Sequence, residues 1–126
     1  MTAIEDRIWA LSESELGTFE FGITRLDRAG TVRFFNQAEE RFTKRKAEDT
    51  IGLNFFREVA PCAAVRNFQG RFEDFVAAPE LTSKTFGFIY PFWLGHEQVK
   101  ITLVRRASEP ESVYLVTESM GAAPET

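Results

Sequence analysis

The chain reads as an α+β domain: a five-stranded antiparallel sheet with short helices and one longer connector helix on one face, preceded by an N-terminal helical arm. Three observations predict this. Two runs with imperfect apolar alternation, residues 19–26 (FEFGITRL) and 32–36 (VRFFN), flank the turn sequence DRAG, as in a β-hairpin. Phe68, Phe72, Phe75 and Val76 fall at i, i+4, i+7 and i+8, one apolar helical stripe. Three strand-like runs then follow, at 84–92, 98–106 and 112–118. Strands, helices, then strands again is an α+β order.

Taken in order, Ile4, Ile8, Leu11 and Leu16 have rough helical spacing and predict an arm over residues 1–17, closed by Gly17. The domain proper spans 18–119. In the hairpin turn, Gly30 can adopt positive φ. Asn36 can cap a helix over 37–42, with Glu39 at the capping-box position. A short turn over 46–51 stops at Gly52. Asn54 caps another helix through Val59, which Pro61 breaks just before Cys62. Asn67 caps the connector helix and Pro79 ends it. In the fourth strand Val99, Ile101 and Leu103 alternate with Lys100, Thr102 and Val104. The Ala/Pro/Glu-rich tail, 120–126, reads as flexible.

Composition removes several function classes. A chain of 126 residues fits one domain and can bury a core without disulfides or metal. The net charge of −4 gives no electrostatic case for nucleic acid. No apolar run approaches a membrane span, and the N-terminus lacks the pattern of a signal peptide, so a cytoplasmic protein is expected. One cysteine makes no internal disulfide, and one cysteine with one histidine makes no zinc site of the usual type. Thirteen phenylalanines suit the lining of a flat apolar ligand site.

The chemistry is concentrated in residues 54–62, NFFREVAPC, and in the stretch 36–45 upstream. Cys62 is the only strong nucleophile with an obvious structural frame, placed between a proline and an expected helix whose backbone N–H groups could bind a carbonyl oxygen. A lone cysteine is most often a small buried hydrophobe. Glu39 reads from composition as a solvent-facing cap residue, Thr43 as a helix-end threonine bonding locally, Arg45 as a surface cation and His96 as a loop histidine. A cysteine enzyme is disfavoured, because His96 lies far along the chain and no Cys–His motif is present.

The GxVxxFN pattern of residues 30–36 and the element order resemble PAS domains, which cradle ligands between sheet and helices or dimerise through the same surface. With Ala38-Glu39, Thr43, Arg45, Ile51-Gly52, Asn54-Phe55-Phe56, Val59-Ala60-Pro61-Cys62 and Phe68…Gly70…Phe72 added, the chain resembles the photoactive yellow protein family over residues 19–118. That resemblance implies a blue-light sensor, not an enzyme, carrying 4-hydroxycinnamic acid (p-coumaric acid) as a thioester on Cys62. It implies that Glu39, buried and protonated in the dark, hydrogen-bonds the phenolate and gives up its proton after trans–cis isomerisation. Thr43 would support the phenol-binding group and Arg45 would cover the pocket. Phe35 would pack against the ring, and Phe55, Phe88 and Leu94 would complete the site. The output would be a conformational change read by a downstream signalling protein, from a monomer or weak dimer. A PAS domain that keeps the fold without a chromophore is the alternative.

Two departures carry expectations. The family normally has a tyrosine where this chain has Phe35, which keeps the ring and loses the donor. The phenolate then loses a charge-assisted hydrogen bond, worth about 1.5–3 kcal/mol, so its pKa should rise by roughly one to two pH units unless another donor is recruited. The family also often has a methionine in the loop at 91–97 that speeds return to the dark state. This loop has Phe92, Trp93 and Leu94 instead, which predicts slow thermal recovery. A Leu94→Met variant that recovers no faster counts against this.

Overall fold

The structure is a computed structural model and describes residues 3–92 and 95–122. Five strands, β1 (Gly22–Asp27), β2 (Val32–Phe35), β3 (Ser83–Phe92), β4 (Gly95–Val104) and β5 (Ser112–Ala122), form one sheet in the order β2-β1-β5-β4-β3. Every pairing is antiparallel. The α+β expectation therefore holds. Strand β5 runs past the expected end at 118, and Ala122 pairs with Glu97, so the first residues of the expected tail belong to the sheet. Residues 123–126 lie outside the described residues.

The two faces of the sheet are covered differently. Val113 and Leu115 of β5 join one core with Leu26, Ile101 and Leu103, while Tyr114 and Val116 join a second with Ile23 and Val104. Successive side chains of a strand point to opposite faces, so one alternating strand serves both cores. The first core is closed by α3 (Gln37–Thr43), by the turns that follow it, and by α4 (Arg71–Val76). Its centre is an aromatic cluster in which Phe68 meets Phe55, Phe56, Phe86 and Phe88 at centroid distances of 5.0–5.9 Å.

The second core is covered by the arm. The expected helical arm consists of two short helices, α1 (Ile4–Ala10) and α2 (Glu13–Leu16). Ser12 breaks the run because its side chain and that of Glu15 form a capping box that starts a new helix. Ile8 and Leu16 are fully buried. The indole of Trp9 donates to the Arg105 carbonyl at 3.1 Å, and Arg106 donates to the carbonyls of Ile8 and Leu11.

The connector also starts differently from the expectation. Asn67 is not its cap. A π-helical turn, Arg66–Gly70, begins after Val65 and leads directly into α4. The expected stripe survives: Phe68, Phe72 and Phe75 are buried. Arg105, from the end of β4, donates to the carbonyls of Phe75, Ala78 and Leu81. Of these, Phe75 is in the last turn of α4, where a helix leaves carbonyls open.

Candidate functional site

The site is built on the hairpin. Gly30 takes φ +89°, and its carbonyl accepts from Phe55 N at 2.8 Å. The side chain of Asn54 donates to the Ala29 carbonyl and accepts from Phe56 N and Arg57 N, capping a π-helical turn, Phe55–Val59. The segment expected to carry the chemistry is thus fastened to the turn of the hairpin. Cys62 does not precede a helix. It sits inside a short 3-10 turn, Pro61–Ala63, with Pro61 at the first position, where its missing N–H costs nothing.

Asn36 is equally constrained. It is buried, its Oδ1 accepts from Ile23 N at 2.9 Å and from Glu39 N at 3.1 Å, and its Nδ2 donates to the carbonyls of Leu16 and Phe21. Asn36 is therefore the helix cap the sequence predicts. Glu39 does not close the box. Its side chain turns inward, where it is 2% exposed. The carboxyl fits there because β1 has no side chain at Gly22: a Cβ at that position would lie 2.0 Å from Glu39 Oε1. Thr24 Oγ1 donates to Glu39 Oε2 at 2.7 Å. Oε1 is buried with no hydrogen-bond partner among the described residues.

Burial pushes the Glu39 carboxyl up to about 7, against the pull of the Thr24 hydroxyl. Near neutral pH this group both holds and releases a proton. Burial also pushes the Cys62 thiol upward, only partly opposed by its own backbone N–H. The thiol is therefore largely protonated at neutral pH and calls for an activated acyl donor.

A cavity of about 200 Å³ joins these groups, lined by Glu39, Phe42 and Thr43 of α3, Phe55 and Val59 of the π-helical turn, Ala60 to Cys62, and Tyr90 of β3. Four sequence-predicted residues, Cys62, Glu39, Thr43 and Phe55, meet around it. The Thr43 hydroxyl donates to the Glu39 carbonyl at 2.7 Å, a bond local to the helix. Arg45 does not line the cavity. Its guanidinium donates to the Glu58 carbonyl at 2.8 Å, bridging the two segments that contribute Thr43 and Val59. Phe35 and Phe88 do not line it either. Phe35 is buried in the core, and Phe88 stacks edge-on against Tyr90 at 5.2 Å. Leu94 lies outside the described residues. Sequence reasoning missed Tyr90, Phe42, Thr24 and Gly22.

No protein-family model matches the chain. Individual relatives do. The photoactive yellow protein of Halochromatium salexigens is 32% identical over 117 residues, covering 93% of this chain and 92% of the relative. The chain belongs to the photoactive yellow protein family. The Cereibacter sphaeroides photoactive yellow protein is 42% identical over 67 residues, 53% of this chain and 54% of its own. Among solved structures, the photoactive yellow protein domain of the sensor histidine kinase Ppr from Rhodospirillum centenum superposes with a TM-score of 0.79 at 30% identity, covering 91% of this chain and 99% of that domain. The PAS domain of the Cronobacter turicensis quorum-sensing receptor RpfR, at 17% identity and TM-score 0.62, shares the fold. Membership of the photoactive yellow protein family makes the chain a PAS-fold light-sensor domain. No helix among the described residues is long and apolar enough to cross a membrane.

Proposed function

We propose that the chain is a blue-light receptor that carries 4-hydroxycinnamate as a thioester on Cys62. The observation that carries this reading is the cavity that joins the Cys62 thiol to a buried carboxyl with one oxygen unpartnered among the described residues. The residues fit the group. An apolar cavity of about 150 Å³ holds a benzene ring, and this one, about 200 Å³, has a nucleophile and an acid in its wall. A phenolic oxygen is the complement that Glu39 Oε1 lacks, and an acyl carbon is what Cys62 Sγ can attack. In loading, Sγ displaces the leaving group of an activated acid and its proton goes to solvent.

The bound group supplies absorption of blue light and a double bond that isomerises. The chain's part is to hold a proton on Glu39 Oε1 and deliver it to the phenolic oxygen. Once deprotonated, Glu39 is a buried carboxylate with Thr24 as its side-chain donor. Such a charge is costly, and loosening α3 relieves it. Asn36 connects the N-terminus of α3 to the end of the arm, so release of the arm is the proposed output. It would be read by a downstream signalling protein not yet identified, with the receptor acting as a monomer or weak dimer.

The test is reconstitution. Purified protein and Cys62→Ala are incubated with activated 4-hydroxycinnamate, and intact mass and visible spectrum are recorded. One added acyl group in the wild type, none in the variant, and reversible bleaching under blue light are expected. A folded protein whose thiol stays unmodified sinks the proposal and leaves a chromophore-free PAS domain.

A further inference from the structure

Phe35 removes the hydroxyl that family members normally offer to the phenolic oxygen, yet the cavity is not short of one. Tyr90 is 5% exposed and stands in the cavity wall with Glu39 and Cys62. Its ring is held edge-on by Phe42 at 5.7 Å and by Phe88 at 5.2 Å, and tilted against Phe68 at 6.2 Å. Three rings contacting one leave it little rotational freedom. Phe42 lies one helical turn beyond Glu39 on α3, so the Phe42–Tyr90 contact brings the C-terminal part of β3 against the helix that presents the carboxyl.

We infer that Tyr90 is the second donor to the phenolic oxygen, taking from β3 the part that Phe35 on β2 cannot play. The inference rests on the chromophore reading given above. Burial raises the Tyr90 hydroxyl well above its usual range, and negative charge on Glu39 or Cys62 would raise it further. The hydroxyl thus keeps its proton at neutral pH and can donate, and it lies within electrostatic reach of Glu39 and Cys62. The groups that face it are Glu39 from α3, Cys62 from the 3-10 turn and the neutral Thr43 hydroxyl; among the described residues no lysine or arginine lines the cavity. In this arrangement two oxygens, one acidic near neutrality and one not, would share the phenolate charge. The phenolate would be kept at neutral pH without a tyrosine on the hairpin.

The experiment loads wild type and Tyr90→Phe, verifies one acyl group by intact mass, and titrates the phenol by its visible band. The midpoint is expected to move up by about 1–2 pH units in Tyr90→Phe, the size of a lost charge-assisted hydrogen bond. Adding Phe35→Tyr to that variant should move it back down. A loaded Tyr90→Phe with the wild-type midpoint overturns the inference and leaves the chromophore reading standing. A wild type that takes no acyl group overturns both. A second readout does not depend on the variant folding. The chain has two tyrosines, so fluorotyrosine labelling gives two fluorine resonances, and Tyr90 is the one that persists in Tyr114→Phe. That resonance should shift with the phenol's midpoint in loaded wild type; one that ignores the titration overturns the inference.

Discussion

Replacing Glu39 with glutamine is expected to abolish a loss of stability of about 2.5 kcal/mol that the unloaded wild type suffers as the pH rises from 5 to 8. The sign follows from the proton count. Glu39 titrates near 7 in the folded protein, against an ordinary value of 4.5. Between those values the folded state binds more protons than the unfolded chain, so unfolding free energy falls with rising pH. Below 4.5 both states are protonated and there is no penalty. Above 7 the penalty is complete, about 1.36 kcal/mol for each pH unit between the two values. Glutamine keeps an acceptor for Thr24 and has no charge to lose. Urea unfolding at several pH values checks this, read as the difference between wild type and variant. Asp27 and Glu15, whose carboxyls are held below their ordinary values, act at lower pH and cancel in that difference. A wild type as flat as the variant between pH 5 and 8 would mean that the carboxyl is solvated.

The second large effect is steric. Gly22→Ala should lower the unfolding free energy by about 1–3 kcal/mol, the cost of forcing a methyl into a filled space. The added carbon would meet Glu39 Oε1 at 2.0 Å, Cδ at 2.7 Å and Cγ at 3.0 Å, so moving one oxygen does not relieve it. The side chain must leave Thr24 and swing into the cavity or out of the core. Gly87→Ala on β3 is the matched control, since its methyl meets only the Val99 carbonyl at 3.9 Å. Carbon NMR of the carboxyl gives the second readout: in Gly22→Ala, Glu39 should no longer titrate near 7. A variant as stable as Gly87→Ala, with Glu39 unmoved, would remove glycine from the explanation of the site.

These two residues also show what local sequence can and cannot convey. The strands were legible because alternation is a property of consecutive residues, and the connector was legible as a stripe of phenylalanines. The fate of Glu39 was not. Whether a carboxyl at the third position of a helix closes a capping box or enters the core depends on what β1 presents opposite it, and that is a matter of tertiary contact. The resemblance singled out Glu39; only the packing shows the space at Gly22 and the hydroxyl of Thr24. Tyr90 was within reach. Phe86, Phe88 and Tyr90 share one face of β3 by their period of two, so the face that holds Phe88 also holds Tyr90. What the period cannot give is how far along the strand Cys62 and α3 are seated. The split of the arm, by contrast, was written in Ser12 and Glu15 at capping-box spacing.

Asn36 has one amide group and four backbone clients, the N–H groups of Ile23 and Glu39 and the carbonyls of Leu16 and Phe21. They belong to the start of β1, the start of α3, the end of the arm and the link between arm and sheet. No one of these can draw away while the others keep all their bonds. The arm covers the opposite face of the sheet from the cavity, yet the two are clasped by a single knot, and a disturbance at α3 need not cross the sheet to be felt behind it.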